Sequence, residues 1–131
     1  MKISHRFIVV DDDSFNNLVC KYTILKYDAS ADIQLFTDPE KALAVIREEF
    51  GNITEGLDTV LFLDINMPIM SGWEFLNEFE TYSQNIHRQI TIYILSSSID
   101  PGDKIKADGN TFVKGYYPKP LGIETMNQIF G

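Results

Sequence analysis

Five short runs rich in β-branched and aromatic residues recur along the chain, each followed by a stretch whose apolar residues return every three or four positions. The runs are RFIVV (6–10), DIQLF (32–36), TVLFL (59–63), ITIYIL (90–95) and TFVKGYY (111–117), compositions that suit a pleated, packed surface. Three of them are almost continuously apolar, which places them in the middle of a parallel sheet covered on both faces. Helical spacing fills the intervals. Phe15, Leu18, Val19, Tyr22 and Leu25 make one stripe, with Ser14 placed to cap its start. DPEKALAVIREEF opens with Asp38 as cap and Pro39 at the first helical position, and carries Ala42, Leu43 and Ile46 on one face. SGWEFLNEFETY, from Ser71, supplies Phe75, Leu76 and Phe79; DPGDKIKA, from Asp100, is shorter; GIETMNQIFG ends the pattern with Ile123, Met126, Ile129 and Phe130. Gly51 to Gly56 reads as a surface connection. Strand then helix, five times over, predicts a doubly wound α/β fold of five parallel strands, because right-handed crossovers lay helices on both faces of the sheet.

A chain of 131 residues holds one well-buried core, so a single domain over 1–131 is expected. No apolar stretch approaches the roughly 20 residues of a membrane span, and MKISHRFIVVDDD meets charge too early for a signal peptide. The expectation is a cytoplasmic protein without a membrane partner. A formal net charge of -8 argues against a nucleic-acid surface, which needs clustered Lys and Arg. Cys20 is alone, which excludes an internal disulfide and the usual zinc patterns. His5 and His87 are isolated and read as surface or core-edge residues.

In sheets of this kind ligands bind beyond the carboxyl ends of the strands, where the winding direction reverses. The first strand ends on Asp11, Asp12 and Asp13, the third on Asp64, the fourth on Ser96, Ser97 and Ser98, and Lys119 follows the fifth. Taken singly, each is an ordinary loop or cap residue. Together they fall on one edge. Carboxylates converging there repel one another by a few kcal/mol per close pair, so positive charge should sit among them. Oxygen ligands without His or Cys suit Mg²⁺, which commonly works beside a phosphate. A lysine and a serine hydroxyl complete a set able to position and neutralise a phosphoryl group, and an aspartate can itself be the acceptor.

IVVDDD, LFLDINMPIMSGWEFL, YILSSS and GYYPKPL, in this order and spacing, resemble the receiver domains of two-component response regulators over nearly the whole chain. The resemblance implies a flavodoxin-like strand order 2-1-3-4-5. It implies that Asp64 accepts a phosphoryl group from a phosphohistidine on a sensor histidine kinase or a histidine phosphotransfer protein. Asp12 would bind Mg²⁺ directly, Asp11 would assist through water, and the Asn66 backbone carbonyl would be a further ligand. Ser96 matches the family's switch hydroxyl, Lys119 its phosphate partner and Tyr116 its switch aromatic; Met67-Pro68 and Gly72 match the turn after the acceptor. Lys119-Pro120 is expected to be cis. Such a domain signals through protein contacts to a downstream target and catalyses only its own phosphorylation and dephosphorylation. Asn66 and Ser98 lie where the family tunes the lifetime of the phosphoryl group.

Pro101 and Gly102 suggest that the helix begun at Asp100 is short or displaced, which bears on the output surface. The last helix also looks short, as in a piece of something longer. Three other readings compete. A haloacid-dehalogenase-like phosphatase wants a second Asp two residues after the nucleophile, where this chain has Asn66, and its nucleophile on the first strand. A flavodoxin-like cofactor site wants a phosphate loop where Asp11 to Asp13 would repel one. An unphosphorylated scaffold would not need the full set of site residues.

Overall fold

In the computed structural model, which describes residues 6–51, 58–97 and 100–131, the first element is the run Arg6–Val10 (β1), an inner strand of a five-stranded parallel sheet. The elements follow as Ser14–Tyr27 (α1), Asp32–Phe36 (β2), Pro39–Gly51 (α2), Thr59–Asp64 (β3), Gly72–Glu80 (α3), Gln84–Gln89 (α4), Ile90–Ser96 (β4), Pro101–Asp108 (α5), Val113–Pro118 (β5) and Ile123–Phe130 (α6). The strand order is β2-β1-β3-β4-β5, as expected. The nearly continuous apolar runs are the three inner strands. β3 is buried throughout, whereas β2 and β5 at the edges are half-buried.

Alternation along the inner strands divides the core into two layers. Ile8, Val10, Leu61, Leu63, Ile92 and Ile94 point to one side, against Ala42, Leu43, Ile46 and Phe50 of α2, Phe75, Leu76 and Phe79 of α3, Ile86 of α4 and Ala107 of α5. Phe7, Val9, Val60, Phe62, Tyr93 and Leu95 point to the other, against Cys20 and Ile24 of α1 and Met126 of α6. Each fully buried aromatic or branched aliphatic side chain contributes about 1.5–3 kcal/mol relative to exposure.

Register carries the strand ends to a common edge. Val10 pairs with Leu63, Asp64 with Leu95 and Ser96 with Pro118. Asp11 and Asp64 therefore stand level, with Ser96 one position beyond them and Lys119 two, across four adjacent strands. β1 lies between β2 and β3, so the winding reverses beside Asp11 and Asp64.

Several expectations are corrected. The buried stripe of α1 is Asn17, Cys20 and Ile24; Phe15 is 72% exposed, Tyr22 65% and Leu18 43%. A buried asparagine disguises that stripe. Its amide Nδ2 donates to the carbonyls of Asp11 (3.1 Å) and Phe36 (3.3 Å), so Asn17 joins α1 to the ends of β1 and β2. The cap of α1 is Asp13, accepting from Phe15 N at 2.9 Å, and Ser14 is the first helical residue. α4 was not expected. It is one polar turn and a half, capped by Ser83, with Ile86 and Gln89 buried and Gln89 Nε2 donating to Phe50 O at 2.9 Å. β5 begins at Val113 rather than residue 111, while β3 and β4 each run one residue further, to Asp64 and Ser96.

Other readings hold. Asp38 accepts from Glu40 N at 2.9 Å with Pro39 opening α2, and Asp100 accepts from Gly102 N at 2.8 Å with Pro101 opening α5. α5 is short, with Ala107 as its buried residue. His87 is a core-edge residue, its ring between Phe79 and Phe112 and its Nε2 donating to Phe79 O at 2.7 Å. Gly51 closes α2; the rest of that connection, His5 and Ser98 lie outside the described residues. Among the described residues no helix is long and apolar enough to cross a membrane.

Candidate functional site

Asp64 is the last residue of β3 and is only 4% exposed. Its Oδ1 accepts from Asn66 N at 3.2 Å and from Lys119 Nζ at 3.3 Å. Burial, and next the negative charge of Asp11, push its pKa from 3.8 up to about 6, against the pull of Lys119 and the Asn66 amide. A carboxylate so placed is short of positive charge.

Asp11, 2% exposed, receives more. Oδ1 accepts from Asp13 N at 2.9 Å, and Oδ2 accepts both Lys119 Nζ at 2.7 Å and Asn16 Nδ2 at 2.6 Å. Asp12, next along the chain, is exposed. One carboxylate oxygen from each of Asp11, Asp12 and Asp64 can be chosen so that all three lie within 4.8 Å of one another. This donor set is all oxygen and rich in negative charge, with one ammonium among three carboxylates, and it fits a hard divalent cation.

Lys119 follows β5, its backbone N–H donating to Ser96 O at 2.8 Å. The Lys119–Pro120 bond is cis, as expected. Burial works against the charge of Lys119, but the hydrogen bond and charge of Asp11, then those of Asp64, outweigh it and raise its pKa above the ordinary lysine value. The ammonium is a fixed positive charge across the working pH range.

Ser96 ends β4 and is 1% exposed. Tyr116 pairs with Ile94 on the adjacent strand and packs half-buried against the layer that contains Ile94. Ser96, two residues beyond Ile94, continues that face. Hydroxyl and ring therefore share one side of the sheet near its carboxyl edge. Ser97 is exposed.

After Asp64 the chain turns sharply. Asn66 is exposed, Met67 is buried, and Gly72 N donates to Ile65 O at 3.0 Å. A Cβ on Gly72 would lie 2.7 Å from Ile65 Cα and 2.8 Å from Asp64 O, so only glycine lets α3 pack this closely on the end of β3. Ser71 and Glu74 close a capping box that fixes where α3 begins.

Asp11, Asp12, Asp64 and Lys119 are thus brought together, with Ser96, Tyr116 and the Asn66 backbone on the same edge. Asn16 was not anticipated. Its signal was its place on the first turn of the helix that follows Asp11, but the apolar stripe expected for α1 turned attention to another face.

Comparison with known proteins agrees with this layout. The sequence profile of the response regulator receiver domain matches residues 7–130. Among solved structures, a two-component response regulator from Cytophaga hutchinsonii is 27% identical, with a TM-score of 0.87 over 98% of this chain and 96% of that one. A response regulator receiver protein from Dyadobacter fermentans is 27% identical, with a TM-score of 0.84 over 95% and 93%. The Vibrio cholerae chemotaxis protein CheY4 shares the fold at 24% identity and a TM-score of 0.74, over 97% and 96%. No curated protein sequence matches.

Proposed function

The chain belongs to the family of response regulator receiver domains, signalling modules of two-component systems, and from this premise we propose that residues 1–131 act as one phosphoacceptor unit in which Asp64 takes a phosphoryl group from a phosphohistidine. The observation that carries the reading is Asp64 itself: a buried carboxylate at a strand end, bridged to Asp11 by Lys119, with Asp12 beside it.

In this reading an Asp64 carboxylate oxygen attacks phosphorus, the P–N bond to the donor imidazole breaks, and its electron pair stays on that nitrogen. The product is an acyl phosphate. Lys119 meets the negative charge of the transferred group, and the Ser96 hydroxyl donates to one of its oxygens. Asp12, Asp64 and the Asn66 carbonyl would hold Mg²⁺, with Asp11 acting through water. When bound, Mg²⁺ supplies the charge neutralisation that lets two anionic partners meet.

Ser96 moving toward the phosphoryl group would free space for the Tyr116 ring, shifting a population of two states and changing the surface formed by α5, β5 and α6. The donor would be a sensor histidine kinase or a histidine phosphotransfer protein, and the output a contact with a downstream protein, in the cytoplasm, without direct nucleic-acid or membrane binding. A haloacid-dehalogenase-like phosphatase is disfavoured by Asn66 two residues after the acceptor and by the acceptor's place on β3.

The test is labelling by acetyl phosphate followed by intact mass. One phosphoryl group should appear in the presence of Mg²⁺, be absent in EDTA, be released by hydroxylamine, and not appear on Asp64→Asn. Equal labelling of Asp64→Asn, or labelling indifferent to EDTA, would return the chain to the scaffold reading.

A further inference from the structure

We propose that Asn16 is a positioning residue that holds Asp11 in place when Lys119 leaves it for the phosphoryl group. The inference rests on the receiver reading of the site and assigns a task to a residue outside the motifs that carry it.

In the present state the carboxylate of Asp11 has three donors: Asp13 N on Oδ1, and Lys119 Nζ and Asn16 Nδ2 together on Oδ2. Lys119 is closer to Asp11 (2.7 Å) than to Asp64 (3.3 Å). A phosphoryl group on Asp64 concentrates new negative charge beside the ammonium and draws it over. Asp11 then loses one of its two side-chain donors while remaining almost wholly shielded from solvent. A buried carboxylate left short of donors is costly and free to turn.

Asn16 is built to remain. Its amide is neutral, so the arriving charge redirects it far less than it redirects an ammonium. It sits on the first turn of α1, whose start is fixed by Asp13, and its Nδ2 also lies 3.8 Å from Cys20 Sγ, one turn further on. The orientation of the amide follows from its partner: an ionised carboxylate only accepts, so the NH₂ end must face Asp11.

This division of labour gives an unequal signature. Asn16→Leu keeps the branched shape and the number of heavy atoms of the side chain and offers no donor. Mg²⁺ alone should bind the variant within about threefold of the parent, because Lys119 still holds Asp11. Beryllofluoride in saturating Mg²⁺, which imitates the phosphoryl group and recruits Lys119, should bind roughly tenfold more weakly. Isothermal titration calorimetry reads both, with Asn16→Ala as a second variant and thermal melts in EDTA to show that each is folded. A merely structural role would weaken both ligands alike, so equal losses, or none, overturn the proposal while the receiver reading stands. A parent that binds no beryllofluoride overturns the receiver reading, and the proposal with it.

Discussion

The raised pKa of Asp64 has a consequence for stability that needs no ligand. With a folded pKa of about 6 against an unfolded value near 3.8, the native state holds a proton through that window which the unfolded chain has released. Stability therefore falls as pH rises from about 4 to about 6, and above 6 the ionised Asp64 costs the fold on the order of 3 kcal/mol. Asp64→Asn removes this cost, and Lys119 keeps Asp11 as its partner at 2.7 Å. In EDTA, urea denaturation should find the variant more stable than the parent at pH 7.5 by about that amount, with the gap closing below pH 4; a gap independent of pH would contradict the electrostatic origin. At this scale the sequence was most informative for charged residues. Asp11, Asp12, Asp64 and Lys119 could be read because such types rarely gather at strand ends without a task. Asn16 and Asn17 could not, because an amide on a helix looks like surface until its partners are known: Asp11 Oδ2 for one, the carbonyls of Asp11 and Phe36 for the other.

At the scale of elements, legibility followed burial. The inner strands were plain because apolar residues on both faces leave few alternatives, whereas β5, half-buried at an edge, was misplaced by two residues at its start. α1 presented two stripes at helical spacing, and the more apolar one, with Phe15 and Tyr22, faces solvent. α4 escaped notice because six residues with one apolar member, Ile86, carry no periodic signal. The close packing of α3 on β3 is testable. Gly72→Ala would drive a Cβ against the backbone at Ile65 and Asp64, neither of which can rotate away as a side chain can. The expected loss is about 1–3 kcal/mol in chemical denaturation, with slower acetyl phosphate labelling because Asp64 O shifts. Unchanged stability would mean that the turn yields more easily than this packing implies.

Across the whole molecule, the topology does what no single motif does. The five parallel strands, their order and their in-register ends bring residues up to 108 positions apart onto one crevice, with Asp11 and Lys119 in contact at 2.7 Å. The alternation of strand and helix sufficed to predict that edge, since right-handed crossovers and the winding reversal leave little choice. What it could not give was the division of the core, because which helix covers which face depends on long-range packing: α1 and α6 on one side, α2 to α5 on the other. The central claim is that this crevice makes Asp64, and no other carboxylate in it, the acceptor. Borohydride reduction tests this most directly, since it converts an aspartyl phosphate to homoserine and leaves free carboxylates unchanged. After treatment with acetyl phosphate and Mg²⁺, peptide sequencing by mass spectrometry should find homoserine at position 64 and aspartate at positions 11, 12 and 13. Homoserine at any of those three, or at none of the four, would contradict the account.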